Sequence, residues 1–402
     1  MERYSEYKDS GAQWLGKIPK HWDVIKAKYL WNEVFSFSEN GSENLLSVSQ
    51  YDGVTQAKNE SRSESLKGYK KVAKDNLVIN IMLAWMGGLG VSEYNGIVSP
   101  AYCVYRLKKA ANPKFMHYLY KTPMYLAEFA RHSTGVIPSR WRMYTDDFGQ
   151  VLTLIPPIDE QDKIVSYLDK VTSKIDEAIA QQQKMIDLLN ERKQIIINNA
   201  VTKGLNPDVP MKYSGVDWIG EIPEHWQSIK LKYLCSMKSG ENLTSNQIEE
   251  YGKYKVFGGN GIRGYFSKYN CKGPILLIGR QGALCGNVHH AEEKIWATDH
   301  AIVTQNNVNI NIKFLFYLLK CMNLNQYGIQ TAAQPGLSVS TIKNIYGLLP
   351  SIDEQSEIVK HLNAKLVEIN NTIAYNRGMV SLLQERKQII INDVVTGKVK
   401  VS

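Results

Sequence analysis

The sequence predicts an α+β protein in which two globular domains are joined by two long antiparallel helices. We expect these helices to form an intramolecular coiled coil with pseudo-two-fold symmetry. Three observations lead to this prediction: several segments occur twice, a heptad pattern follows each globular segment, and the segments between the repeats differ. A shared arrangement that holds two different inserts indicates a protein with two different binding surfaces.

Three segments of the chain occur in two copies, and the pairs are 10–22 with 214–226, 158–161 with 352–355, and 188–198 with 382–392. The first pair is 204 positions apart and the other two are 194 apart, so the segment between the first and second repeats is ten residues shorter in the second copy. The inserts, about 31–153 and 227–347, show almost no identity. Stretches at 76–82, 101–107, 274–278 and 301–305 read as buried strands.

Apolar residues recur in 4-3 spacing from Ile164 onward and again from Ile358 onward. This spacing is the pattern of a coiled-coil seam and predicts two long helices. Neither helix buries its apolar stripe alone, and two copies in one chain pair most naturally antiparallel. The predicted seam residues are Ile164, Leu168, Val171, Ile175, Met185, Leu189, Ile358, Leu362, Ile369, Met379, Leu383 and Ile390. A polar residue also occupies the same seam position in both copies, Gln182 in the first and Asn376 in the second. These residues either fix the register of the two helices or are simply partly exposed to solvent.

The repeats divide the chain into four predicted segments. These are 1–153, an N-terminal leader that contains the repeat 10–22, with the first globular domain; 154–204, the central helix; 205–347, the second leader, which contains the repeat 214–226, with the second globular domain; and 348–402, the C-terminal helix.

The charge of the chain favours a polyanionic partner such as nucleic acid. Net charge is +9, with +7 in residues 227–347 and +3 in residues 31–153.

The five cysteines form no CxxC pair, which fits reduced thiols in a cytoplasm and argues against a disulfide framework or a structural zinc site. No secretory signal or membrane span is recognisable, so we expect a cytoplasmic protein without a bound metal.

Enzyme motifs are weak or missing. Phe257–Gly261 formally matches the F-x-G-x-G loop of S-adenosylmethionine-dependent methyltransferases, but the preceding stretch is polar and no Asn-Pro-Pro-aromatic motif exists. The chain also lacks a G-x-x-x-x-G-K-[ST] loop and any nucleophile with a matching base. The sequence therefore indicates no catalytic residue, although a fused methyltransferase stays an alternative.

Candidate DNA contacts lie in loops of both inserts. Arg280 and Gln281 follow a buried strand in a glycine-rich turn, and Arg and Gln suit guanine and adenine edges. An ordinary surface salt bridge is an equally good interpretation of either residue alone. The full set of candidates is Arg131, Ser139, Arg140, Arg142, Arg263, Lys268, Arg280, Gln281, Gln334 and Ser338.

Three repeated features lead to a family resemblance: the Ile-Asp-Glu-Gln motifs at 158–161 and 352–355, the Glu-Arg-Lys motifs at 191–193 and 385–387, and the two leaders. In these features the chain resembles the DNA specificity subunit of type I restriction-modification enzymes. The resemblance covers essentially the whole chain. It implies a non-catalytic protein with two target recognition domains, each reading one half of a bipartite DNA sequence. It also implies that the helices set the spacing and dock two modification subunits, which bind S-adenosylmethionine and methylate adenine.

The resemblance further implies that two restriction subunits, which translocate and cleave DNA, join the full complex. It also implies that this chain itself holds no cofactor.

The remaining alternative is a coiled-coil scaffold whose inserts bind proteins. In that case, loss of the positive charge of residues 227–347 would leave function unchanged.

Overall fold

A computed structural model describes residues 2–51, 53–57, 66–137, 140–282, 284–307, 309–331 and 334–401. The chain divides into two compact units: unit 1 comprises Met1–Gln182 with Gly378–Ser402, and unit 2 comprises Gln183–Arg377. The described α-helices are α1 (Ala27–Leu30), α2 (Pro113–Tyr120), α3 (Pro123–Arg131), α4 (Thr145–Gln150), α5 (Ile158–Lys203), α6 (Leu231–Leu234), α7 (Ile312–Cys321), α8 (Val339–Lys343) and α9 (Ile352–Val395).

The strands of unit 1 are β1 (Tyr7–Asp9), β2 (Lys17–Pro19), β3 (Asp23–Lys26), β4 (Trp31–Glu33), β5 (Leu46–Ser49), β6 (Gly53–Gln56), β7 (Lys70–Val72), β8 (Leu77–Asn80), β9 (Leu89–Val91), β10 (Gly96–Val98), β11 (Tyr102–Leu107) and β12 (Leu152–Ile155). Those of unit 2 are β13 (Met211–Tyr213), β14 (Glu221–Pro223), β15 (Gln227–Lys230), β16 (Cys235–Ser239), β17 (Tyr254–Gly258), β18 (Gly261–Phe266), β19 (Cys271–Lys272), β20 (Ile275–Gly279), β21 (Val288–Ala291), β22 (Lys294–Ala297), β23 (Ala301–Asn306), β24 (Ile329–Thr331), β25 (Gln334–Gly336) and β26 (Tyr346–Leu349).

Unit 2 repeats the topology of unit 1. Each unit contains a four-stranded antiparallel sheet, in the order β4-β11-β8-β9 in unit 1 and β16-β23-β20-β21 in unit 2. The strands β3 and β15, which follow the leaders, pair with β12 and β26, which precede the long helices. The predicted strands correspond to β8, β11, β20 and β23. The inserts thus share a fold despite their different sequences.

The units differ outside this common sheet. Unit 2 adds a second sheet in the order β18-β17-β22-β19, in which β17 and β22 run parallel. Unit 1 has the hairpin β5-β6 and the pair β7-β10 instead.

Both long helices contribute to the core of each unit. In unit 1, Trp22 and Phe148 of the globular part are buried in one cluster with Leu168 of α5 and Val394 of α9. In unit 2, the corresponding cluster joins Trp226 and Phe314 to Val201 of α5 and Leu362 of α9. The insert, the end of one helix and the beginning of the other are therefore buried together.

The two helices are antiparallel within each unit. Lys387 Nζ of α9 lies 2.7 Å from the Asp176 carboxylate of α5 in unit 1, and Lys193 Nζ lies 2.8 Å from Asn370 Oδ1 in unit 2. The sequence number rises along one helix as it falls along the other. The predicted α+β class with two long antiparallel helices is confirmed. The four predicted segment boundaries stay a prediction.

The buried stripe of α5 differs from the predicted seam in its second half. Met185 is 48% exposed, whereas the next residue, Ile186, is 3% exposed and packs with Ile369 and Ile373. A strict seven-residue repeat drifts around a straight helix of 3.6 residues per turn, which explains a shift of one position. The structure buries Ile164, Leu168, Ile175, Ile358, Leu362 and Ile369, and half-buries Val171, Leu189, Met379, Leu383 and Ile390.

Candidate nucleic-acid interface

The repeated Gln of the Ile-Asp-Glu-Gln motif ties each long helix to its globular part. Buried Gln161 accepts a hydrogen bond from the backbone N–H of Asn112 at 2.8 Å and donates to the carbonyl of Pro156 at 2.7 Å. Asn112 in turn caps α2, because its side chain accepts from the N–H groups of Lys114 and Phe115. This network fixes α2 on the N-terminal turn of α5.

Unit 2 repeats this network. Gln355 accepts from the backbone N–H of Asn311 at 2.7 Å and donates to the carbonyl of Pro350 at 2.9 Å, while Asn311 caps α7. The identical bonds explain why this part of the sequence occurs twice.

The Glu of the same motif binds the leader. In unit 1, His21 Nε2 lies 2.7 Å from Glu160; in unit 2, His225 Nε2 lies 2.9 Å from Glu354, which also accepts from Trp226 Nε1 at 3.2 Å. Partial burial alone would raise the pKa of Glu354, but the bonds from His225 and Trp226 outweigh it and lower the pKa. The His-Trp pair of the leader therefore anchors the start of the long helix.

A group of exposed or half-buried polar side chains lies at one end of the common sheet of unit 2. Three pairs form it: Arg280 Nη1 donates to Ser239 Oγ at 3.3 Å, His300 Nδ1 lies 2.9 Å from Gln281 Oε1, and Asn287 Nδ2 donates to Asn260 Oδ1 at 2.9 Å. We call these six residues the loop cluster. His300 also lies 4.0 Å from Asp299, the acidic neighbour of the cluster.

Backbone contacts hold the loop cluster in place. The N–H of Arg280 donates to the carbonyl of His300 at 2.9 Å, and the carbonyl of Arg280 accepts from the N–H of Leu337 at 2.8 Å. A Cβ on Gly279 would lie 2.0 Å from the carbonyl oxygen of Gly259, so only glycine permits this close approach. Turns that are distant in sequence thereby present amide and guanidinium groups together.

The Phe257–Gly261 motif forms the turn of the antiparallel hairpin β17-β18, in which Gly258 pairs with Gly261. A cofactor loop of the methyltransferase type would join a strand to a helix. The structure therefore argues against the methyltransferase alternative at this site.

Other candidates in unit 2 lie in different surroundings. Arg263 on β18 and Lys268 after it are exposed. The backbone of Gln334 lies in β25, which pairs with β24. The Ser338 hydroxyl accepts from the N–H of Thr341 at 3.0 Å and caps α8, which gives this side chain a local structural role.

In unit 1, Arg131 is held by an ion pair. Its guanidinium donates two bonds to the buried carboxylate of Glu128, at 2.6 and 2.8 Å, and His132 adds a contact at 3.2 Å. Burial alone would raise the pKa of Glu128, but Arg131 and His132 lower it. This arrangement makes Arg131 part of the structure of α3.

The remaining candidates of unit 1 lie in the loop before α4. Arg140 is exposed, and Arg142 Nη1 donates to the carbonyl of Trp141 at 2.7 Å. Ser139 lies outside the described residues.

The same two loop regions meet in both units. In unit 2 the turn after β20 bridges to the loop before α8 through Gln281 and Gly336. In unit 1 the turn after β8 meets the loop before α4, since the carbonyl of Ile81 accepts from the N–H of Met143 at 3.0 Å. There the Trp85 and Trp141 rings form an edge-on contact with centroids 5.3 Å apart.

Within the described residues, no group of three or more His, Cys, Asp or Glu side chains has an arrangement suited to a metal ion. A search of the same residues also finds no helix whose length and apolar character would let it span a bilayer.

Parts of the chain are similar to a known family of proteins. Residues 223–374 match the model for the type I restriction modification DNA specificity domain. The chain is 42% identical over 144 residues to the type I restriction enzyme EcoprrI specificity subunit of Escherichia coli, covering 35% of each protein. It is also 25% identical over 377 residues, 83% of each protein, to the MjaVIII specificity subunit of Methanocaldococcus jannaschii.

A solved structure described as the basis of complex assembly and conformational transition of the type I R-M system has the same fold. It aligns with a TM-score of 0.71 over 95% of this chain and 99% of that one, at 13% identity. The expectation that the chain is not itself an enzyme agrees with the relatives, each of which is named as a specificity subunit. Residues 223–374 therefore match a type I DNA specificity domain, and the chain as a whole is similar to specificity subunits of type I restriction-modification systems, as its repeated motifs indicated.

Proposed function

We propose that each unit reads one half of a bipartite DNA target on behalf of partner subunits that carry out the chemistry. The observation that supports this most strongly is that the same two loops meet in both units but present different side chains. The loop cluster of unit 2 offers Arg280 and Gln281. The matching loops of unit 1 offer Trp85, Trp141 and Arg140.

The chemistry of the loop cluster suits base edges. Arginine pairs with guanine and glutamine or asparagine with adenine in the major groove, while serine serves either purpose. The charge of +7 in residues 227–347 supplies the sequence-independent attraction to phosphates. In this proposal, Arg263, Lys268, Arg140 and Arg142 contact DNA beside the reading loops.

The outer faces of the long helices supply docking sites for partners. Leu188 and Leu382, at equivalent positions of the repeat, are 49% and 60% exposed, and Ile195 and Ile389 form a second exposed pair. Apolar side chains that recur at equivalent exposed positions indicate a protein contact rather than chance exposure. Two equal faces fit two copies of one partner.

In this proposal the two copies are modification subunits, which bind S-adenosylmethionine and methylate adenine, while this chain holds no cofactor. Two restriction subunits join the full complex in the cytoplasm. The helices set the spacing between the half-sites, and α5 alone, with 46 residues, extends about 69 Å at 1.5 Å per residue.

The test is methylome sequencing of cells that express the chain with its modification subunit. We expect one bipartite methyl-adenine motif. The double variant Arg280→Ala/Gln281→Ala should relax one half of that motif only, whereas Lys8→Ala, on the exposed leader strand β1, should leave both halves unchanged. A contiguous motif, no motif, or relaxation of both halves by the unit 2 variant would contradict the proposal.

A further inference from the structure

A short basic element also occurs in both copies, directly after the leaders. Residues 25–30 read Ile-Lys-Ala-Lys-Tyr-Leu, and residues 229–234 read Ile-Lys-Leu-Lys-Tyr-Leu. Neither the loop cluster nor the helix docking faces include it. Its near-identity in the two units sets it apart from the reading loops, which differ.

The structure builds this element in the same way twice. Each copy forms a one-turn helix, α1 or α6, whose apolar residues are buried, including Leu30 and Leu234. The helices are held by equivalent backbone bonds: the N–H of Ala27 donates to the carbonyl of Val151 at 2.8 Å, and that of Leu231 donates to the carbonyl of Ile345 at 2.9 Å.

The same two side chains of each copy lie on the surface. Lys28 Nζ is 5.2 Å from the centroid of the Tyr29 ring, and Lys232 Nζ is 4.9 Å from that of Tyr233. The tyrosines are 56% and 61% exposed. We call each pair a Lys-Tyr patch. A cation next to an exposed phenol offers one charged and one neutral hydrogen-bond donor to an anion.

The surroundings of the patch in unit 2 are free of negative charge along the chain. The sequence contains no Asp or Glu at 227–240 or at 300–352. Lys230 and Lys238 lie close to the patch in sequence, and Lys230 Nζ is 5.6 Å from the Tyr346 ring.

Unit 1 has acidic groups nearby, but two of them are already bonded. Glu33 accepts from Lys70, and Asp147 accepts from the N–H of Tyr144 at 3.2 Å. Asp146 and Lys28 line the same depression, of about 330 Å³. Lys108 lines it too, and its Nζ donates to the carbonyl of Lys28 at 2.9 Å.

We infer that each Lys-Tyr patch binds the DNA phosphate backbone and does so in the same way in both units. This inference rests on the proposed function, since it takes DNA as the ligand. Identical side chains do not distinguish two different base sequences, but phosphates are the same in every half-site. Lysine acts as a compact point charge, which suits phosphate contacts that need no fixed orientation.

The position of the patch relative to the loop cluster fits this role. Strand β16 begins at Cys235, next to Tyr233 and Leu234, and ends at Ser239 of the loop cluster. Four residues of strand span about 14 Å. Duplex DNA carries one phosphate charge per ~1.7 Å of helix axis when both strands are counted, so one base pair occupies about 3.4 Å. The strand length therefore corresponds to about four base pairs. The patch therefore reaches phosphates of the half-site that the loop cluster reads.

The experiment compares the salt dependence of DNA binding by the complex with its modification subunits. The variant Lys28→Ala/Lys232→Ala removes both patch lysines. The matched control, Lys8→Ala/Lys212→Ala, removes two exposed lysines at equivalent repeat positions on the leader strands β1 and β13. Binding is measured on a duplex with the methylated motif and on a scrambled duplex, at several salt concentrations.

We expect the patch variant to lower the slope of log K against log[salt] by about 2, because each phosphate that a lysine no longer neutralises removes about 0.9 from the slope. The ratio of affinities for the two duplexes stays the same, and the control pair keeps the wild-type slope. An unchanged slope, an altered ratio, or an equal effect of the control pair would overturn the inference.

Two further outcomes separate this inference from the proposed function. If the patch variant fails to assemble with the modification subunits in size-exclusion chromatography, the patch is a protein contact and the inference is wrong. If the wild-type complex shows no sequence preference, the proposed function fails, yet the slopes on the scrambled duplex still decide whether the patch binds phosphate.

Discussion

Gln161 and Asn112, 49 positions apart, are joined by a 2.8 Å hydrogen bond from the Asn112 backbone N–H to Gln161 Oε1. Gln161 is almost fully buried, and its amide also donates to the Pro156 carbonyl at 2.7 Å. The bond is repeated between Gln355 and Asn311. One side chain thus connects the long helix, the strand end before it and the cap of α2.

Replacing Gln161 with alanine should destabilise unit 1. The change removes the partner of the partly buried Asn112 N–H and of the buried Pro156 carbonyl, at a cost of about 2 kcal/mol or more. Urea unfolding followed by circular dichroism would show a lower midpoint. Gln181→Ala, on an exposed position of the same helix, is the control and should shift the midpoint little. Equal shifts for the two variants would show that the Gln161 bonds add no stability.

The second prediction concerns equivalent helix contacts that differ in charge. Lys387 pairs with Asp176, but Lys193 at the equivalent position bonds neutral Asn370. Asn370→Asp should therefore create a second ion pair and raise the free energy of unfolding by about 0.5 kcal/mol. Asp176→Asn should lower it by a similar amount.

Both effects should disappear in 1 M salt, because the pairs are partly exposed and screened. Thermal unfolding of the two variants and the wild type at low and high salt provides the measurement. A stabilisation by Asn370→Asp that persists in 1 M salt would point to helix propensity or packing rather than to charge.

The third prediction is a pH dependence from His117. Burial, with smaller contributions from the charges of Lys121 and Lys114, lowers the pKa of His117 from 6.5 to about 4. Its neutral Nδ1 accepts from the N–H of Val91 at 3.2 Å. Between these two values the unfolded chain binds a proton that the folded chain does not, so stability falls as the pH is lowered from 6.5 to 4.

The loss should reach about 2 to 3 kcal/mol, at 1.36 kcal/mol per pKa unit. His117→Gln keeps an acceptor and should flatten this part of the stability curve, whereas His361→Gln, at an exposed position of α9, should not. Urea unfolding at pH 7, 5.5 and 4 tests the prediction, and parallel curves for wild type and His117→Gln would contradict it.

The fourth prediction tests the docking faces. Leu188→Glu and Leu382→Glu place a charge in equivalent exposed apolar faces. Each single variant should bind one modification subunit instead of two, and the double variant none, because a charge buried without a partner opposes association. Mass measurement of the purified complexes counts the subunits.

Val367→Glu is the matched control, since Val367 is exposed on α9 but has no apolar counterpart in the first copy, where Ser173 stands. It should leave two subunits bound. Two bound subunits in the double variant would show that these faces are not the docking sites.

Several features of the fold could be predicted from the sequence because they depend on local periodicity. Uninterrupted apolar runs predicted β8 and β20, which are buried along their length. The 4-3 spacing predicted both long helices, which continue unbroken to Lys203 and Val395. The repeat itself indicated that the two halves share a topology.

Other features were decided by tertiary packing. Met185 fits the heptad pattern better than Ile186, but the residue buried against α9 is Ile186. Arg131 and Ser338 stay predicted DNA contacts, and the structure adds a role for each that composition did not indicate, because Arg131 pairs with Glu128 and Ser338 caps α8. Local composition does not show which partner a polar side chain finds.

The sequence by itself determined the repeated arrangement, the two long helices, the central strands and the resemblance to specificity subunits, because periodicity and repetition are properties of the chain. Only the tertiary structure decided that Ser239, Asn260, Asn287 and His300 join Arg280 and Gln281. These residues come from separate turns, and no spacing along the chain relates them. They meet because close backbone approaches, such as that of Gly279 to Gly259, bring the turns together at one end of a sheet.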